Sequence, residues 1–177
     1  MKKKVLILSG SPRKNGNSDM LCDEFSKGAE KTGNIAEKIY LNDYKLGFCQ
    51  ACYVCQKVGK CVQNDDMEAI LDKIVNADVI VLATPVYFYT MDAQLKVMID
   101  RTLPRYTEIR DKDFYLIATA AAGKSAMERT VDSMRGFLDC LPGASEKGVI
   151  YGAGVWHIGD IRANIAMQEA YEAGLNI

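Results

Sequence analysis

The sequence predicts one three-layer α/β domain built on a five-stranded parallel sheet. Three observations predict it. Strand-like and helix-like segments alternate from end to end. The run Val79-Ile80-Val81-Leu82-Ala83 is apolar throughout, as in a strand covered on both faces. The length of 177 residues suits one substantial core but not two. Parallel strands joined by helices require right-handed crossovers.

Lys4 to Ser9 reads as the first strand, a short Val, Leu and Ile run halted by Gly10-Ser11-Pro12. A helix from about Ser18 to Lys31 places Leu21, Phe25 and Ala29 on one face and ends at Thr32-Gly33-Asn34. Ile35 to Leu41 is a second strand. Asn42 to Asn64 reads as irregular. Asp65 or Asp66 can cap a helix whose stripe is Met67, Ile70, Leu71, Ile74 and Val75. The apolar third strand covers Val79 to Ala83. Asp92 to Leu103 follows as a helix, Phe114 to Thr119 as a strand and Lys124 to Leu141 as a helix. Lys147 to Tyr151 is the fifth strand, and Asp160 to Ala173 the last helix. No repeat or linker divides the chain, so residues 1–177 form a single domain with a cysteine-rich loop at about 43–64.

In doubly wound sheets ligands sit at the carboxyl ends of the strands, where strand order reverses. That points to the loops at Gly10, Thr84 and Ala120. The first, Ser9 to Ser18, joins a strand to a helix and carries three serines, Asn17 and Arg13. Backbone N–H groups and the positive end of a helix dipole suit a phosphate there. The loop is neither a Walker loop nor a GxGxxG fingerprint. The second, Thr84 to Thr90, holds Tyr87, Phe88 and Tyr89. These suit a flat heterocycle, with a local hydrophobic cluster or a dimer surface as the competing reading. The third, Thr119 to Gly123, is made of small residues that let backbone approach a ligand or simply turn tightly.

The formal net charge of −1 provides no concentrated basic surface for nucleic acid or an anionic membrane. No stretch approaches the roughly 20 apolar residues of a membrane span. The run after Lys2-Lys3-Lys4 is too short for a signal peptide, so a cytoplasmic location is expected. Disulfides are then a poor default for the six cysteines. Cys49, Cys52, Cys55 and Cys61 spell C-x2-C-x2-C-x5-C, and four thiolates in one short loop suit a [4Fe–4S] cluster. Unmetallated thiols, zinc or a disulfide are the alternatives. Cys22 and Cys140 read as packing residues. His157, the single histidine, sits beside the single tryptophan, Trp156, and reads as satisfied or exposed rather than catalytic.

Ser9 to Ser18, Thr84 to Phe88 and Gln94-Leu95-Lys96-Val97-Met98-Ile99-Asp100-Arg101 together resemble the flavodoxin-like NADPH-dependent FMN reductases over nearly the whole chain. The resemblance implies a flavodoxin-like three-layer sandwich with sheet order 2-1-3-4-5. It implies that Ser9, Ser11, Arg13, Asn17 and Ser18, with Pro12 in the same loop, hold the FMN phosphate. Pro85, Val86, Tyr87 and Phe88 would flank the isoalloxazine ring, with Ala120, Ala121 and Gly123 nearby. Lys96 and Arg101 would be structural. The cysteine motif with Asp65-Asp66-Met67 resembles the iron-sulfur flavoprotein subgroup. The implied activity is electron transfer from NAD(P)H to a quinone, a flavin or a similar small-molecule or protein acceptor, in a homodimer or homotetramer. The flavin performs the chemistry, so no catalytic side chain is expected. A non-catalytic flavin and iron-sulfur electron carrier is the competing reading.

Overall fold

The computed structural model describes residues 2–177. Lys4–Ser9 forms β1, Asn17–Lys31 α1, Ile35–Tyr40 β2, Val54–Val58 α2, Met67–Asn76 α3 and Val79–Pro85 β3. Ala93–Asp100 forms α4, Asp113–Ala120 β4, Glu128–Leu138 α5, Ser145–Ala153 β5 and Ala166–Leu175 α6. The five strands are parallel in the order β2-β1-β3-β4-β5, the flavodoxin-like order.

Alternation along the strands builds two cores. Leu6, Leu8, Ile80, Leu82, Phe114 and Leu116 face α3, α4 and α5. Val5, Ile7, Val79, Val81, Tyr115 and Ile117 face α1 and α6. The central strands are buried on both faces, which explains why β3 carries no polar residue before Thr84. On the second face α1 and α6 cross closely at two glycines. A Cβ on Gly28 would meet the Tyr171 carbonyl oxygen at 2.1 Å, and one on Gly174 the Phe25 carbonyl oxygen at 2.1 Å.

Several boundaries differ from the sequence expectation. The helix expected over Asp92 to Leu103 ends at Asp100. Pro104 disfavours helical backbone at Leu103, and the chain turns there instead. The helix expected from Lys124 begins at Glu128, preceded by a 3-10 turn at Lys124–Ala126. The segment expected as one helix from Asp160 splits into a 3-10 turn, Asp160–Ala163, and α6. Asn164 divides them, its side chain accepting the Ala166 N–H at 3.0 Å. The second strand stops at Tyr40, and Leu41–Asp43 is a 3-10 turn. The fifth strand is longer than expected. Among the described residues no helix is long and apolar enough to cross a membrane.

Candidate functional site

The carboxyl ends of β1, β3 and β4 open into a cleft of about 230 Å³. Ser11, Arg13, Asn17 and Ser18 line one part, Pro85, Val86 and Tyr87 a second, and Ala120 and Ala121 a third. The three loops singled out in the sequence therefore meet in one place. Of the expected residues, Ser9, Pro12, Phe88 and Gly123 do not line it.

The first loop is built to receive an anion. The first backbone bond of α1 runs from the Met20 N–H to the Gly16 carbonyl at 2.9 Å. Helix geometry leaves the N–H groups of Asn17, Ser18 and Asp19 without helical partners, at the positive end of the dipole. Ser11 and Ser18 are buried beside them. Ser11 Oγ accepts the Arg13 N–H at 3.2 Å, which folds the loop back on itself. Ser9 lies behind, fully buried, and its Oγ has no hydrogen-bond partner among the described residues. The Arg13 side chain is exposed and unpaired among the described residues. These features fit a phosphate group. Asn17 is committed elsewhere: its Nδ2 donates to the His157 carbonyl at 3.0 Å, and its Oδ1 accepts the Gly159 N–H at 3.1 Å. Its side chain therefore ties the loop to the segment after β5, while its backbone N–H stays at the helix start.

Behind the loop is a buried carboxyl that the sequence did not single out as more than a helix boundary. Asp92 is 1% exposed and caps α4, its Oδ1 accepting the Leu95 N–H at 2.9 Å. Its Oδ2 has no partner among the described residues. Burial pushes its pKa up to about 6, against the pull of the Leu95 hydrogen bond. Gly10 makes room for it, since a Cβ there would come within 2.4 Å of the carboxylate.

The aromatic loop is a tight hairpin. Tyr87 and Thr90 exchange two backbone hydrogen bonds at 3.0 and 3.1 Å. Phe88 and Tyr89 occupy its corner with φ of +50° and +64°, a left-handed conformation ordinarily left to Asn and Gly. Phe88 is fully exposed at the tip. Tyr87 faces the cleft, and on the other side the hairpin borders an apolar groove of about 780 Å³ with Met91, Ile99 and Phe137.

Thr119, at the start of the third loop, also lines the cleft, as do Val155, Trp156 and Ile158, which sequence reasoning missed in this role. The available signal was Trp156 between Gly154 and Gly159, both with left-handed backbone. His157 is exposed, as expected, and its N–H is held by Asp160 at 2.7 Å.

The cysteine segment follows β2. It is irregular apart from the short α2, which sequence reasoning did not anticipate. Ala51 and Tyr53 stand in left-handed conformation between its thiols. All six cysteines are free. Cys49 and Cys52 are exposed, Cys61 is half-buried and Cys55 is buried. Among the described residues no three sulfurs or carboxylates are gathered around one point. Cys22 packs in the core as expected, and burial raises its thiol pKa. Cys140, expected to pack, is exposed at the end of α5, because the helix stops before burying it.

The segment is anchored by Arg101. This side chain is 2% exposed, and its two Nη atoms bond Asp65 Oδ2 and Oδ1 at 2.7 and 2.9 Å. Nη1 also donates to the Gly47 carbonyl at 2.6 Å. Arg101 thus ties the cysteine segment to the end of α4, while Lys96 pairs with Asp100 at the surface.

A family model for the NADPH-dependent FMN reductases matches residues 3–154. An iron-sulfur flavoprotein of Methanocaldococcus jannaschii is 37% identical over 136 residues, covering 76% of this chain and 70% of its own. An iron-sulfur flavoprotein of Archaeoglobus fulgidus is 39% identical over 101 residues, covering 57% of this chain and 46% of its own. The match to that relative thus spans less than half its length. The solved structure of an NAD(P)H:quinone oxidoreductase from Methanothermobacter marburgensis superposes with a TM-score of 0.76 at 19% identity, covering 99% of this chain and 97% of that one. This last likeness is one of fold.

Proposed function

Because this chain belongs to the NADPH-dependent FMN reductase family, we propose that it binds FMN in the cleft and carries electrons from NAD(P)H to a quinone, a flavin or a similar acceptor. The observation that supports this most is the convergence of three loops on one cleft with the start of α1 in its wall. Bound FMN supplies the redox chemistry, and the protein supplies position and electrostatics.

Ser11, Ser18 and Arg13 hold the phosphate together with the open N–H groups of α1, with the buried Ser9 behind them. Pro85, Val86 and Tyr87 form an apolar wall for the ring, and Ala120 and Ala121 let backbone approach it. Trp156 and Ile158 line a further side. Replacing Ser11 by Ala should weaken FMN binding by roughly 1.5–3 kcal/mol, the value of a hydrogen bond to a charged group. Riboflavin, which lacks the phosphate, should lose far less. Titrating both flavins against wild type and variant decides it: equal losses place the phosphate elsewhere.

We further assign Cys49, Cys52, Cys55 and Cys61 to a [4Fe–4S] cluster. The donor set fits in kind, being four free thiols in one short segment. The segment must close to bring the sulfurs together. A cluster there supplies one-electron exchange. A cytoplasmic location goes with this assignment, since four closely spaced cysteines suit metal ligation in a reducing compartment. The groove beside the aromatic hairpin, with the fully exposed Phe88, is assigned to self-association as a homodimer or homotetramer.

A further inference from the structure

Arg101 makes the bonds described above with its two Nη atoms, yet its Nε is buried and has no partner among the described residues. Leaving a charged donor buried and unmatched is costly, so such an atom calls for an acceptor. A cavity of about 50 Å³ adjoins the guanidinium, and Cys61 lines it together with Arg101 and Met67. The guanidinium pKa is held up first by Asp65 and, more weakly, by the Cys61 sulfur. Lys60, Gln63, Glu68 and Arg105 also line this cavity, Lys60 and Glu68 paired with each other, and among its polar groups are the guanidinium with its one free N–H and a thiol from the cysteine motif.

We propose that Arg101 is a positioning residue for the iron-sulfur site: its Nε–H donates to the sulfur of Cys61 when that sulfur ligates the cluster. The inference rests on the cluster assignment above. Its Nη atoms meanwhile fix Gly47 and Asp65, which flank the cysteine segment on both sides, so the residue fastens the loop at its base and lines the same cavity as its last ligand. Hydrogen bonds to cluster sulfurs and nearby positive charge stabilise the reduced, more negative state. Arg101 therefore raises the potential, and Asp65, by neutralising it, limits the rise.

Two variants should then shift the potential in opposite directions. Arg101→Lys keeps the positive charge but removes the fork and its Nε–H, so the midpoint potential of the cluster should fall. Asp65→Asn leaves Arg101 in place without its counter-charge, so the potential should rise. Both are read by EPR-monitored redox titration of anaerobically reconstituted protein, with iron and FMN content measured alongside. Protein carrying 15N-labelled arginine should also show a nitrogen coupling to the reduced cluster in wild type, a readout that stands if Arg101→Lys fails to fold. Unchanged potentials in both variants, shifts of the same sign, or no nitrogen coupling in iron-loaded wild type would overturn the proposal. Wild type that binds FMN but takes up no iron would overturn the cluster assignment itself, and this inference with it.

Discussion

Asp92→Asn should change how stability depends on pH. In the folded protein the carboxyl is buried against Gly10 with Oδ2 unpartnered, and its pKa rises from 3.8 to about 6. The folded state therefore keeps a proton that the unfolded chain has already released. Stability is lost as pH rises from about 4 to about 6, and the loss is complete above the folded pKa. At about 1.4 kcal/mol per pKa unit, the roughly two-unit gap is worth about 3 kcal/mol. Asparagine keeps the cap acceptor for the Leu95 N–H and carries no charge. Its amide nitrogen would be left unmatched, at a cost of about 1–3 kcal/mol that does not vary with pH. The test is thus the slope rather than the level. Urea unfolding at steps between about pH 4 and pH 7 should show the variant gaining on wild type by up to about 3 kcal/mol. Parallel curves would mean that Asp92 ionises normally and that the buried position carries no penalty.

Gly28→Ala should destabilise the fold, because the new methyl meets the Tyr171 carbonyl oxygen at 2.1 Å and its three nearest neighbours are all backbone. Overpacking of about 1–3 kcal/mol, partly offset by alanine's better helix propensity of about 1 kcal/mol, should lower Tm by a few degrees in a thermal melt; no change would mean that α1 and α6 separate easily. Wild type reconstituted anaerobically with iron and sulfide should take up about four irons, and Cys52→Ala should not, by iron analysis and EPR. If both proteins stay iron-free while binding FMN, the segment is a thiol feature and the chain a plain FMN reductase.

The fold was legible because its signals are local. The alternating faces of β1 and the unbroken apolar run of β3 identify a doubly covered parallel sheet, and that sheet locates the ligand loops. Three loops far apart in the chain could be assigned to one cleft on that basis. What was missed depends on tertiary geometry. Trp156 reaches the cleft because Asn17 pins the segment after β5 to the start of α1. Asp92 is unusual because of what buries it rather than because of its neighbours in sequence. The helix after β3 is shorter than its apolar pattern suggested, because Arg101 turns inward to the cysteine segment and Pro104 ends the helical backbone. Cysteine spacing, in turn, conveys which donors are present but not how their sulfurs are arranged.

The reductase assignment is tested most directly by anaerobic mixing of FMN-loaded protein with NADPH or NADH, followed by visible absorbance. The oxidised-flavin band should bleach within seconds to minutes and return when a quinone is added. Bleaching by dithionite but by neither nucleotide would contradict it and make the protein an electron carrier.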